Sequence, residues 1–189
     1  MSISMKIFLD FQENEVFIDA GCCDLESSID FFRRWKGIEK IYAFEPDAEN
    51  YKICKKRYEA IKGNFPQTIL LPYGTWDKSE ELHFEATHDG SARIGEGDSI
   101  INAIAIDESI DKNDKVTYIK MDVEDAELIS LEGAKKTILK NRPKLAICIY
   151  HKPEDMITLP EFVLGLGLDY KLYIRSHSNA ENEVVMYAV

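Results

Sequence analysis

Apolar residues fall along the chain in short runs that alternate with helical stripes. Val16-Phe17-Ile18-Asp19-Ala20-Gly21 is an apolar run closed by an acid and a glycine, the pattern of a buried strand ending in a turn. Ile29, Phe32, Trp35 and Ile38 then recur at helical spacing, with Gly37 marking the helix end. Lys40 to Pro46 reads as a second strand stopped by the proline. Asp47 opens a helix with Tyr51, Cys54, Tyr58 and Ile61 on one face, ending at Gly63, and Thr68 to Trp76 reads as a third strand. This β-α-β-α-β order predicts a parallel sheet with crossover helices.

The middle of the chain breaks the rhythm. Glu81 to Thr87 alternates like a half-exposed strand, Asp89 to Asp98 holds three glycines and reads as a loop, and Ser99 to Ile106 is strand-like again. Regular alternation resumes with a strand at Val116 to Val123, a helix at Ala126 to Leu139 and a strand at Lys144 to Tyr150. A helix over about Leu159 to Leu166 follows, then strands at Tyr170 to Ile174 and Glu183 to Val189. The polar turn between the last two, Ser176 to Asn182, is too short for a parallel crossover, so they must pair antiparallel. The expected fold is α/β: a mostly parallel seven-stranded sheet with a C-terminal antiparallel hairpin and helices on both faces. It forms one domain over 1–189, with 80–107 as a β insertion.

Composition narrows the partners. The 189 residues are 45% hydrophobic and 30% charged, as in ordinary globular domains. No apolar run approaches the roughly 20 residues of a membrane helix, and Met1 to Asp10 lacks the core of a secretory signal. The chain is therefore expected in the cytoplasm, away from membranes. Cys22, Cys23, Cys54 and Cys148 form no CxxC pair and read as reduced thiols. Thirty-four acidic residues against 23 basic ones give a net charge of −11, which opposes nucleic acid. The one basic cluster, Lys52 to Arg57, reads as a solvated helix face.

Ligands of open α/β sheets bind outside the carboxyl ends of the strands, and the candidate residues fall there. Asp19 and Gly21 end the first strand, with Cys22 next to them. Glu45 ends the second, followed by Pro46. An acid at that place can accept both hydroxyls of an adenosine ribose. The glycine-rich phosphate cradle of nicotinamide enzymes is missing, since Gly21 is followed by Cys22-Cys23-Asp24-Leu25. That combination suits a phosphate-free, cationic adenosine cofactor, S-adenosylmethionine, and argues against a nicotinamide oxidoreductase. Asp122 ends the fourth strand and precedes Glu124, Asp125 and Glu127, of which Asp125 and Glu127 read as carboxylates favoured by a helix dipole. His151 ends the fifth strand, where an imidazole can act as general base on a hydroxyl. His151, Asp122 and Glu124 are thus the catalytic candidates. The same three can hold a divalent ion, because hard cations prefer oxygen ligands, but no metal is assigned. His83 and His88 read as surface groups, and His177 as a weak candidate for the acceptor side.

The blocks VFIDAG, YAFEPDAENY, GTWDKSEELHF, VTYIKMDVEDAELISLEGA and PKLAICIYHKPEDM resemble, in this order, the FkbM-type methyltransferases. The resemblance runs from Val16 to Val189, and IKMDVE-x-AEL followed by Gly-Ala is its most specific part. It implies a Rossmann-like class I methyltransferase fold, S-adenosylmethionine as methyl donor and a small-molecule or sugar hydroxyl as acceptor. By the matching motifs, Asp19, Gly21 and Glu45 hold the cofactor, Gly74, Thr75, Trp76 and Asp77 lie near the adenine, and Asp122 borders the methionine part. Leu25 and Asp125 stand where the family usually has glycines. A leucine there either crowds the methionine carboxylate or packs against the helix, and the first outcome would leave a catalytically silent binding module. About 15 residues precede the first strand, so the expected cover for the acceptor is a partner chain or a second copy, unless the reading frame is shortened.

Overall fold

The computed structural model describes residues 10–86, 92–94, 99–177 and 183–189. Its strands are β1 (Glu15–Ala20), β2 (Ile38–Phe44), β3 (Gln67–Leu71), β4 (Gly74–Trp76), β5 (Glu80–Ala86), β6 (Ala92–Ile94), β7 (Ser99–Ala105), β8 (Tyr118–Met121), β9 (Lys144–Cys148), β10 (Leu172–Ser176) and β11 (Val184–Ala188). Its helices are α1 (Glu26–Arg34), α2 (Ala48–Ile61), α3 (Ile106–Ser109), α4 (Glu127–Gly133), α5 (Lys135–Asn141) and α6 (Asp155–Gly165). Seven strands form one sheet in the order β10-β11-β9-β8-β1-β2-β3. β3, β2, β1, β8 and β9 run parallel, while β11 pairs antiparallel with both β9 and β10. This is the class I methyltransferase sheet, with the closing hairpin that the short polar turn required. A second sheet, β4-β7-β5-β6, stands beside it.

β1 is the axis of the molecule. All six of its residues are buried. Val16, Ile18 and Ala20 enter one core cluster while Phe17 enters the other, as the two-residue strand period demands. Phe17, Phe31 and Tyr118 pack ring against ring at 4.9–5.0 Å between centroids, each contact adding ~0.5–1.5 kcal/mol beyond burial. Glu15 is buried at the start of the strand because Lys144 meets it at 2.7 Å. No helix among the described residues is long and apolar enough to cross a membrane.

Several elements depart from the sequence pattern for definite reasons. The expected third strand, Thr68 to Trp76, is two: Pro72, with no N–H for a ladder, ends β3, and β4 pairs with β7 in the other sheet. The expected helix Ala126 to Leu139 is also two. The break at Ala134 is stabilised by Asp107, which accepts from Lys136 N (2.9 Å), Thr137 N (2.8 Å) and Thr137 Oγ1 (2.7 Å) and so caps α5. α1 ends at Arg34, with Trp35 extended and Ile38 already in β2. α6 begins a turn earlier than the apolar spacing suggests and carries Pro160 in its interior. In the expected loop Asp89 to Asp98, residues 92–94 form β6 against β5, and the rest lies outside the described residues. So do residues 178–182 of the final turn.

Gly133 lets α4 lie against β4: a Cβ there would sit 1.8 Å from the Trp76 carbonyl oxygen. Gly133→Ala is therefore expected to lower stability by about 1–3 kcal/mol in urea denaturation. Gly165→Ala, where nothing lies within 4 Å of the new Cβ, should cost nothing. Equal midpoints for the two variants would contradict the close approach.

Candidate functional site

The carboxyl ends of β1, β2, β8 and β9 meet at the point where the strand order reverses around β1. Gly21 leaves β1 with φ 74°, and a Cβ on it would lie 1.9 Å from the Asp122 carbonyl oxygen. Only glycine fits both conditions. Cys22 N donates to Phe44 O at 3.0 Å and Asp122 N to Ala20 O at 3.1 Å, so the ends of three strands are tied together.

Lys120 is the centre of this knot. A lysine inside a buried strand must be paired, and its Nζ donates to Gly21 O at 2.7 Å while lying 3.2 Å from Asp19 Oδ1 and 3.9 Å from Asp122 Oδ2. Burial works against its charge, but Asp19 and Asp122 outweigh that and its pKa is raised. Asp19 is fully buried and also accepts from Ser27 Oγ and Ser28 Oγ, each at 2.6 Å. Its carboxylate thus secures the first turn of α1 from inside the protein. The Cys22 side chain is likewise turned inward, 3.7 Å from Cys54 Sγ, and the whole residue is buried. Leu25, in left-handed conformation at φ 70°, buries its side chain in the cluster of Phe31, Ile41 and Cys54. Of the two outcomes open for this leucine, the structure has the packed one.

Glu45 lies across from this loop at the end of β2. Burial pushes its carboxyl up to about 7, although the backbone N–H groups of Asp47 and Cys23 pull the other way. The Asp47 N–H donates to Oε1 at 2.9 Å, and Asp47 itself caps α2 through Glu49 N and Asn50 N. Gly74 lies beside Pro46 and, with Trp76, stays half-buried. Thr75 turns away: its Oγ1 is 2.7 Å from Ser130 Oγ, which donates to the Thr75 carbonyl.

The other half of the site gathers at β8 and β9. His151 is almost enclosed, with its side chain 6% exposed. Its Nδ1 lies 2.9 Å from Glu127 Oε1, and its Nε2 lies 3.5 Å from both Asp122 Oδ1 and Glu124 Oε2. Burial lowers the pKa of the imidazole, but Glu127, Glu124 and Asp122 together outweigh it and the net shift is upward. Burial also raises the Glu124 carboxyl. Glu124 and Asp125 both take left-handed backbones, at φ 49° and 75°, and Lys152 Nζ donates to the Asp125 carbonyl. Tyr150 OH donates to Asp122 Oδ1 at 3.4 Å. The three catalytic candidates of the sequence therefore come together. Glu127, read as a helix-dipole carboxylate, is in fact 1% exposed and holds the imidazole while accepting from Val123 N. Its signal was its place one turn before buried Leu131. Lys120 had a plainer one, a charge amid Tyr118, Ile119 and Met121. His177 pairs with Tyr187 OH at 2.7 Å on the closing hairpin.

A cavity of about 490 Å³ lies at the opposite, amino-terminal edge of the sheet, lined by Glu15, Lys40, Asp114, Thr117 and Lys144 among others. Four of its charged residues pair with one another, Lys40 with Asp114 and Lys144 with Glu15.

The sequence profile of the Methyltransferase FkbM domain matches residues 19–177. Among solved structures, a methyltransferase FkbM from Methylobacillus flagellatus superposes with a TM-score of 0.80 at 27% identity, over 96% of this chain and 45% of that one. This chain thus spans less than half the length of that protein. Human METTL16, in its N-terminal domain bound to SAH, matches with a TM-score of 0.56 at 11% identity over 97% of this chain and 64% of that one. Magnesium protoporphyrin IX methyltransferase from Synechocystis with bound SAM matches with a TM-score of 0.54 at 11% identity, over 94% and 70%. These two share the fold. No curated protein matches the sequence.

The raised Glu45 carboxyl has a measurable sign. Its pKa of about 7 lies above the ordinary 4.5, so the folded state holds this proton more tightly than the unfolded one. Stability from this group is complete below pH 4.5 and declines as pH rises through 7, by up to about 3 kcal/mol. Glu45→Gln should remove that decline, so its advantage over the wild type in thermal melts should grow between pH 5 and 8. Parallel profiles would contradict the assignment.

Proposed function

The chain belongs to the FkbM methyltransferase domain family, and on that premise we propose that it is an S-adenosylmethionine-dependent methyltransferase acting on a hydroxyl of a small molecule or sugar. Glu45 carries the reading. A buried carboxyl at the carboxyl end of β2 stands where an acid can accept both hydroxyls of an adenosine ribose. The neighbouring surface fits the rest of the cofactor. Gly21 and the Cys22 backbone border the turn, Pro46, Gly74 and Trp76 flank the adenine, and Asp122 borders the methionine part. Thr75 and Asp19 hold these segments from behind. Leu25 is fully buried in the core with Phe31, Ile41 and Cys54, which favours a working site over a silent module.

When bound, S-adenosylmethionine supplies a methyl group on a positively charged sulfur, which keeps the electron pair of the broken carbon–sulfur bond. The chain's part is to position the acceptor oxygen and take its proton. Asp122 Oδ1 and His151 Nε2, 3.5 Å apart, form the pair that receives it. Glu127 fixes the ring through Nδ1, and Glu124 closes the other side.

Calorimetric titration of S-adenosylmethionine and S-adenosylhomocysteine should give micromolar binding of both. Glu45→Ala should weaken each by about tenfold or more, the loss of one charged hydrogen-bond partner. His151→Ala should bind both ligands as the wild type does and lose methyl transfer. Absence of binding at millimolar ligand would overturn the reading in favour of a binding module.

A further inference from the structure

We propose that Asp122, Glu124 and His151 form a divalent-cation site at the mouth of the cleft, with Glu127 as the carboxylate that backs the imidazole. The proposal rests on the reading above in one respect, that this cluster faces the acceptor.

His151 Nε2 is the shared neighbour of two carboxylates. His151 Nε2 stands 3.5 Å from Asp122 Oδ1 and 3.5 Å from Glu124 Oε2. Those separations are long for hydrogen bonds and close to the ~3 Å spacing of neighbouring ligands around an ion bound at about 2.0–2.2 Å. The ring is more than nine-tenths enclosed, and Nε2 has no hydrogen-bond partner among the described residues. A buried nitrogen left in that condition is costly unless something occupies the space before it. Behind the ring, Glu127 Oε1 lies 2.9 Å from Nδ1, an ion-pair distance outside hydrogen-bond geometry, from which a small turn of the ring gives the carboxylate–imidazole arrangement that orients metal-binding histidines. Glu127 Oε2 is buried without a hydrogen-bond partner among the described residues. One donor atom each of Asp122, Glu127 and His151 lies within 4.8 Å of the others, so the carboxylate behind the ring is within reach of the same centre.

Charge and access agree with the geometry. Asp122, Glu124 and Glu127 bring three carboxylates to one imidazole, and Lys120 lies nearer to Asp19 (3.2 Å) and Gly21 O (2.7 Å) than to Asp122 (3.9 Å). Asp122 and Glu124 are one-third and nearly one-half exposed, so coordination positions remain open toward the cleft. Two carboxylate oxygens with one imidazole nitrogen suit a hard ion that also accepts nitrogen, such as Mn²⁺. Such an ion would bind the acceptor oxygen directly and lower its pKa. With the ion bound, Asp122 Oδ1 and Nε2 serve as its ligands in place of their metal-free role as proton acceptors, and the O–H bond breaks with the proton passing to water.

The test is titration of MnCl₂ into chelator-treated protein, with free Mn²⁺ followed by electron paramagnetic resonance. One Mn²⁺ per chain is expected with micromolar affinity. His151→Ala and Asp122→Asn should abolish saturable binding, Glu127→Gln should weaken it about 10-fold or more, and Glu45→Ala should leave it unchanged. Circular dichroism checks that each variant is folded. Lack of binding at millimolar Mn²⁺, or binding that survives in both His151→Ala and Asp122→Asn, overturns the site, the latter marking diffuse attraction to an acidic surface. Failure of this proposal is separable from failure of the other. S-adenosylhomocysteine binding by metal-free protein without Mn²⁺ uptake would remove the ion alone, and the reverse result would remove the cofactor alone.

Discussion

The close approach of Gly21 to the backbone of Asp122 governs the rest of the site. β1 and β8 can end side by side only because the turn after β1 has no side chain where the Asp122 carbonyl sits. Lys120 then locks the arrangement, donating to the Gly21 carbonyl while its charge is matched by Asp19 and Asp122. A buried charge of this kind stabilises little by itself, but leaving any partner unpaired would be costly. The result is a fixed relation between the turn that faces Glu45 and the strand end that carries Asp122.

The same logic explains how the chain does without two family glycines. Leu25 and Asp125 accept left-handed backbones that glycine would adopt freely. Leu25 recovers the strain through complete burial under α1. At Asp125, Lys152 binds the backbone carbonyl and so ties the turn after β8 to the segment after β9. That tie keeps Glu124 and His151 on facing sides of one gap.

Most of the fold was legible because parallel strands buried on both faces appear as nearly continuous apolar runs. Val16 to Ala20, Lys40 to Phe44 and Leu145 to Cys148 are such runs, and the short turn before the last strand dictated its antiparallel pairing. The missed features depend on partners far along the chain. The break between α4 and α5 needs Asp107 as a cap and the Trp76 backbone beneath Gly133. The inward turn of Asp19 depends on Ser27, Ser28 and Lys120, and the use of Glu127 depends on His151, 24 residues later. His151, Asp122 and Glu124 could be named as candidates because strand ends are where such sheets bind ligands. What lies one layer behind them had no comparable signal.

The central claim is that Glu45 and the Asp122–His151 pair are opposite ends of one cofactor-and-acceptor cleft. A crystal structure with S-adenosylhomocysteine tests it most directly. The account predicts the ribose hydroxyls on Glu45, the adenine beside Pro46 and Gly74, and the sulfur directed toward Asp122 and His151. Binding in the cavity lined by Lys40 and Lys144, or a ligand that leaves Glu45 untouched, would contradict it.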